Sequence, residues 1–172
     1  MRRKAYGEGV LNVPRATTLA SVNTAAAVAC FTIPLCGRLS DVWSRKTLYL
    51  GGNLLLILLA VPYYATLATR QPLGIMLATI VMLGVVHAML YGVQAALIAE
   101  LFSTRLRYTG ASLAYQLAGP FAGGLAPIVA TSLAHYFPDN YWPLAAYIAL
   151  LAIVSSVCVH FLAETAHKDI RG

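Results

Sequence analysis

The chain has 172 residues, of which 59% are hydrophobic and only 10% charged, whereas a soluble domain carries about a quarter charged residues. A soluble core of this length cannot absorb so much apolar surface without leaving large exposed patches, so the composition excludes an ordinary soluble domain and makes the lipid bilayer the natural solvent. The formal net charge of +6 sits in short connections and at the ends, with no aromatic interleaving on a polar surface, which fits membrane topology and argues against a nucleic-acid partner.

Residues 1–15 read as a polar N-terminal segment or loop remnant. MRRK is a basic start, but Glu8, Asn12, Pro14 and Arg15 follow it before any long apolar run, so no cleavable signal peptide is visible. Five uncharged runs come next and predict helices over about 16–37, 47–69, 72–99, 108–135 and 141–163, a five-helix unit within residues 16–165. Each reaches the roughly 20 apolar residues that cross a hydrocarbon core. The runs are continuous rather than alternating, which argues against membrane strands. The predicted fold is therefore all-α, a polytopic transmembrane bundle, with residues 166–172 as a polar cytoplasmic tail.

The connections are short. They are the stretch GRLSDVWSRK at 37–46, Arg70-Gln71-Pro72, ELFSTRLR at 100–107, and Pro138-Asp139-Asn140. Pro72 and Pro138 mark helix boundaries, because proline lacks the N–H that a helix interior needs. If the first and third connections share a side with the tail, that side holds Arg38, Arg45, Lys46, Arg105, Arg107, Lys168 and Arg171, against Arg70 opposite. The positive-inside rule makes the basic side cytoplasmic. Arg2, Arg3, Lys4 and Arg15 then fall outside, a conflict that vanishes if residues 1–15 are a loop remnant or a non-native start.

Small residues recur at helical spacing in the third run (Gly84, Ala88, Gly92, Ala96) and the fourth (Gly119, Gly123), as in helices that approach closely. Pro120 should bend or loosen the fourth helix. Polar residues inside the runs are candidates for a solute or proton pathway. His87, Tyr91 and Gln94 lie on one face at spacings of three and four. His87 is either a proton-coupling group, since imidazole titrates near neutral pH, or hydrogen-bonded to a neighbouring helix. Tyr115 and Gln116 either bind a small polar solute or join helices. Asn23, Thr24 and Asn53 are further polar positions.

Cys30, Cys36 and Cys158 lie in or beside apolar runs without a C-x-x-C pair, as small hydrophobes would. No metal-ligand spacing, G-x-S-x-G, H-E-x-x-H or phosphate loop occurs, so enzyme chemistry and cofactors find no support.

In GRLSDVWSRK, Gly37 and Asp41 are four apart and share a helix face. Gly37 offers a flat surface to a close neighbour, and Asp41 can face the positive end of a helix or an arginine. This stretch resembles the G-x-L-[SAG]-D-[RK]-x-G-R-[RK] motif of the major facilitator superfamily through Gly37, Leu39, Ser40, Asp41, Arg45 and Lys46. Val42 and Ser44 depart from it, as suits the looser second copy between the eighth and ninth helices. Residues 99–133 are similar to the tenth-to-eleventh helix region of its metabolite:proton symporter family, E-L-F-P-T-x-x-R-Y-T-G-x-S followed by G-G-x-x-P. Glu100, Leu101, Phe102, Thr104, Arg107, Tyr108, Thr109, Gly110, Ser112, Tyr115, Gly123, Gly124 and Pro127 fit, and Ser103 replaces the usual proline.

The resemblance implies the eighth to twelfth helices of a twelve-helix transporter, a fragment without its N-terminal half. The implied activity is symport of a small polar or anionic metabolite with protons across the bacterial inner membrane. By the same resemblance Gly37, Asp41, Arg45 and Lys46 belong to a cytoplasmic gate against the missing half, with Glu100, Arg105 and Arg107 as a second rim cluster. The alternative is a non-transporting truncated membrane protein that acts as a scaffold or partner of an intact transporter.

Overall fold

Each of the five uncharged runs is helical in the computed structural model, which describes residues 15–137 and 140–162. The helices are α1 (Arg15–Val42), α2 (Arg45–Ala68), α3 (Pro72–Glu100), α4 (Arg107–Tyr136) and α5 (Trp142–Phe161). All five are long and apolar enough to cross a membrane, and the described residues contain no strand. The fold is an all-α polytopic transmembrane bundle. The predicted N-terminal segment, Pro138 and Asp139 of the fourth connection, and the tail with Lys168 and Arg171 lie outside the described residues, apart from Arg15, which opens α1.

The helix ends differ from the sequence expectation at one instructive place. α1 does not stop at Gly37 but runs on to Val42. Ser40 is fully buried and its hydroxyl donates to the Gly37 carbonyl at 2.6 Å, within the helix. Ser44 then caps α2, accepting from the Thr47 N–H at 3.2 Å, a usual device for satisfying the first free donors of a helix. The connection thus shrinks to Trp43-Ser44, with Asp41 in the last turn of α1 and Arg45 opening α2.

Two helices contain wider turns. In α3, residues Ile80–Val86 are π-helical, and the His87 N–H donates to the Met82 carbonyl, five residues back. In α4 the π-helical stretch is Pro120–Leu125, with the Ala126 N–H donating to the Phe121 carbonyl. Pro120, expected to loosen α4, opens this wider turn. The π turn of α3 holds no proline and was not legible in the sequence.

α3 is the centre of the bundle. α1 packs along it, α2 lies between it and α5, and α4 makes only sparse contact, with the end of α3 and with α5. The α1–α3 crossing is backbone against backbone. A Cβ built on Gly92 would sit 2.6 Å from the Ile33 carbonyl oxygen, and one on Gly84 would sit 3.0 Å from Val28 Cγ1. Ala88 between them is wholly buried. The predicted small-residue face of α3 is therefore the seam with α1, where close approach gives van der Waals contact that lipid cannot match. The equivalent positions in α4 are different: nothing lies within 4 Å of a Cβ built on Gly119, Gly123 or Gly124.

α2 and α5 are joined by polar groups at positions 46, 49 and 53, one face of a helix. Lys46 Nζ donates to the carbonyls of His160 at 2.5 Å and Leu162 at 3.0 Å, capping the end of α5. Tyr49 Oη and Ser155 Oγ lie 3.0 Å apart, and Asn53 Nδ2 donates to Ser155 Oγ at 3.4 Å. Asn53 is 2% exposed. Its amide is engaged in the α2–α5 contact.

Candidate functional site

Two groups of side chains stand out, one at an end of the bundle and one along its open face. The first follows from the short Trp43-Ser44 connection. With Asp41 and Arg45 on either side of it, Arg45 Nη2 reaches Asp41 Oδ1 at 2.9 Å. The same nitrogen lies 2.8 Å from Glu100 Oε1, at the far end of α3. Arg45 and Glu100 are largely withdrawn, with side chains 15% and 13% exposed, while Asp41 is 58% exposed. Arg45 Nε, Glu100 Oε2 and Arg107 Nε are buried without a hydrogen-bond partner among the described residues. Burying charge is costly unless it is paired, so this end of the bundle combines one satisfied pair with unused hydrogen-bonding capacity.

Gly37 stands one turn before Asp41, and its Cα surface faces the Gly92 carbonyl, 3.5 Å from where a Cβ would lie. Its flat surface is therefore used within this bundle, to let the ends of α1 and α3 meet and bring Glu100 towards Arg45. Lys46 turns the other way, to α5. Arg105 is exposed on the α3–α4 connection and forms no ion pair among the described residues. Among the described residues Glu100 pairs with Arg45, and no ion pair joins it to Arg105 or Arg107. α3 packs on α1 and α2, which delivers its last residue to the start of α2 instead. Gly110 in the Y-T-G stretch has a packing reason: the ring of Phe102 lies directly against it and occupies the place of a Cβ.

The second group lies on the π-turned side of α3. His87 follows the wide turn directly and stacks on Tyr91, with ring centroids 5.5 Å apart and planes 24° from parallel. Tyr91 is 52% and Tyr115 42% exposed. His87 and Gln116 are also exposed, and Gln94 is half-buried. None of these side chains hydrogen-bonds to another helix among the described residues. His87 borders a groove of about 390 Å³ between α1 and α3, whose other walls include Ala26, Cys30 and Leu83.

Sequence reasoning missed Thr32, whose hydroxyl donates to the Gly84 carbonyl across the α1–α3 seam, inside the π turn. A lone threonine in an apolar run gave no signal. It also missed Tyr49 and Ser155. The spacing of Lys46, Tyr49 and Asn53 was the available clue.

The sequence pattern of the Major Facilitator Superfamily matches residues 10–171. The chain is 29% identical over 152 residues to the shikimate transporter of Escherichia coli (strain K12), covering 88% of this chain and 35% of that protein. It is 32% identical over 142 residues to a glycine betaine/proline/ectoine/pipecolic acid transporter of Dickeya dadantii (strain 3937), covering 83% and 28%. It is 30% identical over 152 residues to the citrate-proton symporter of Klebsiella pneumoniae, covering 86% and 34%. The chain thus spans about a third of the length of the curated relatives it matches. No solved structure matches it.

Proposed function

Because the chain belongs to the major facilitator superfamily, we propose that its five helices form part of a bacterial inner-membrane symporter that carries a small polar or anionic metabolite together with protons. The observation that carries this reading is the open face of His87, Tyr91, Tyr115 and Gln116 on helices long enough to cross the bilayer. Polar groups at membrane depth are costly against lipid and belong on a water-filled path or against another helix. The relatives, transporters of shikimate, citrate and betaine or proline, support the class of solute.

Alternating access rocks two helix bundles around a site near the bilayer midplane. We assign the five helices to one of those bundles, working against further helices. The basic end, with Arg38, Arg45, Lys46, Arg105 and Arg107, is cytoplasmic by charge bias, and the tail lies on the same side. In this scheme exposed Asp41 faces the opposed bundle, and the unused polar atoms of Glu100 and Arg107 complete the closed rim. His87 is the proton-coupling group, and Tyr91, Gln94, Tyr115 and Gln116 touch the solute.

The test is uptake of radiolabelled organic acids and osmolytes by cells producing the protein with its opposed helices, with and without a protonophore. Accumulation that collapses with the protonophore, and that His87→Gln uncouples, is the expected result. Accumulation indifferent to the proton gradient sinks the coupling. Uptake by vesicles containing this chain alone sinks the assignment to one of two bundles.

A further inference from the structure

Between Lys46 and Glu100 the sequence holds a single formal charge, Arg70. It stands in the α2–α3 turn, at the end of the bundle opposite the Arg45–Glu100 pair, with φ 59°. This left-handed conformation is the usual place for glycine or asparagine and is strained for a long side chain. Arg70 is exposed and forms no ion pair among the described residues, whose carboxylates, Asp41 and Glu100, both sit at the other end. A strained position therefore presents a cation with no carboxylate partner among the described residues.

Directly beneath this turn α2 and α3 close on each other. A Cβ built on Gly74 would lie 3.2 Å from Thr66 Cγ2 and 3.8 Å from Gln71 Cβ. From there an open groove of about 380 Å³ runs between the two helices, past Pro62 and Ala78, to Leu59 and Met82. Exposed Leu77 stands on its lip. At 1.5 Å per residue the wall from Leu59 to Thr66 is about 10 Å long, against roughly 15 Å for half of the hydrocarbon core. With Arg70 at the headgroup boundary, a groove of this length would descend through much of one leaflet.

We infer that this groove holds an acyl chain of one anionic phospholipid whose phosphate pairs with Arg70. The apolar channel accounts for the chain, and the exposed Arg70 in the turn at that end of the two helices accounts for the headgroup. A guanidinium binds phosphate with two parallel N–H donors, which distinguishes this site from the unselective lipid contact of an apolar helix face. The inference needs neither the transport reading nor the orientation of the bundle.

The experiment is native mass spectrometry of the full chain released from detergent containing equimolar palmitoyl-oleoyl phosphatidylglycerol and phosphatidylcholine. The wild-type chain retains phosphatidylglycerol over phosphatidylcholine by about fivefold, the effect of one cation at a membrane surface. Arg70→Gln abolishes that preference while leaving total lipid retention unchanged. Ala78→Trp, which fills the groove, reduces retention of both lipids. Ala78→Leu is read in its place if circular dichroism shows a loss of helix. A preference that persists in Arg70→Gln overturns the headgroup assignment. Undiminished retention in the groove-filling variant overturns the groove.

Discussion

Arg45 Nη2 lies 2.8 Å from Glu100 Oε1, joining the start of α2 to the end of α3. The same nitrogen also holds exposed Asp41 at 2.9 Å, but the two carboxylates are not equivalent. Removing one partner of a buried pair leaves an uncompensated charge and costs about 3–5 kcal/mol, whereas an exposed pair is worth about 0–1 kcal/mol. We predict that Arg45→Gln strongly lowers the thermal stability of the chain in detergent, and that Asp41→Asn barely moves it. Glu100→Gln combined with Arg45→Gln should recover part of the loss. Equal losses from Asp41→Asn and Arg45→Gln would show that the Glu100 contact is not the dominant one.

The seam between α1 and α3 gives a second prediction. At Gly92 a Cβ meets the Ile33 carbonyl at 2.6 Å, and backbone cannot step aside as a side-chain tip can. Gly92→Ala should cost about 1–3 kcal/mol, the range of overpacking. Gly123→Ala has open space around it and should be neutral, or gain less than about 1 kcal/mol from helix propensity. Chemical denaturation in mixed micelles separates the two outcomes. A destabilising Gly123→Ala would mean that α4 packs more closely than described.

Thr32→Val keeps the shape of the side chain and removes its hydroxyl. The Gly84 carbonyl then loses a donor from α1 within the π turn. The expected loss is about 1 kcal/mol, in line with interhelical hydrogen bonds measured in membranes. Amide hydrogen exchange should rise most at Ile80–Val86. Unchanged exchange there would mean that the π turn does not depend on Thr32.

Ser155 is the shared partner of Tyr49 and Asn53. Ser155→Ala should cost about 1–2 kcal/mol, because it leaves buried Asn53 without its partner. Asn53→Leu combined with Ser155→Ala should cost less than the single serine change. That ordering, read by equilibrium unfolding, is opposite to what simple loss of contacts would give.

The fold was legible because its main cause is chemical and local. Long uncharged runs admit one solution in lipid, and the five helices fall within a few residues of where the runs lie. The helix ends were harder. Gly37 looked like the end of a helix, but Ser40 and Ser44 moved the boundary to Val42 through hydrogen bonds that composition does not reveal. The site was legible by residue type and not by pairing. Asp41, Arg45 and Glu100 were recognisable as rim charges. That Arg45 takes Glu100, while Lys46 serves α5, depends on which helices are neighbours, and α3 settles this through its seam of small residues with α1.

The cap that Lys46 places on α5 bears on biogenesis. Its acceptors, the carbonyls of His160 and Leu162, lie 114 and 116 residues further along the chain. α2 therefore enters the membrane long before its partner is synthesised, with Lys46, Tyr49 and Asn53 all awaiting α5. Contacts so distant in sequence are slow to close, so this polar face stays unsatisfied until α5 follows. That face is covered only once α5 has emerged.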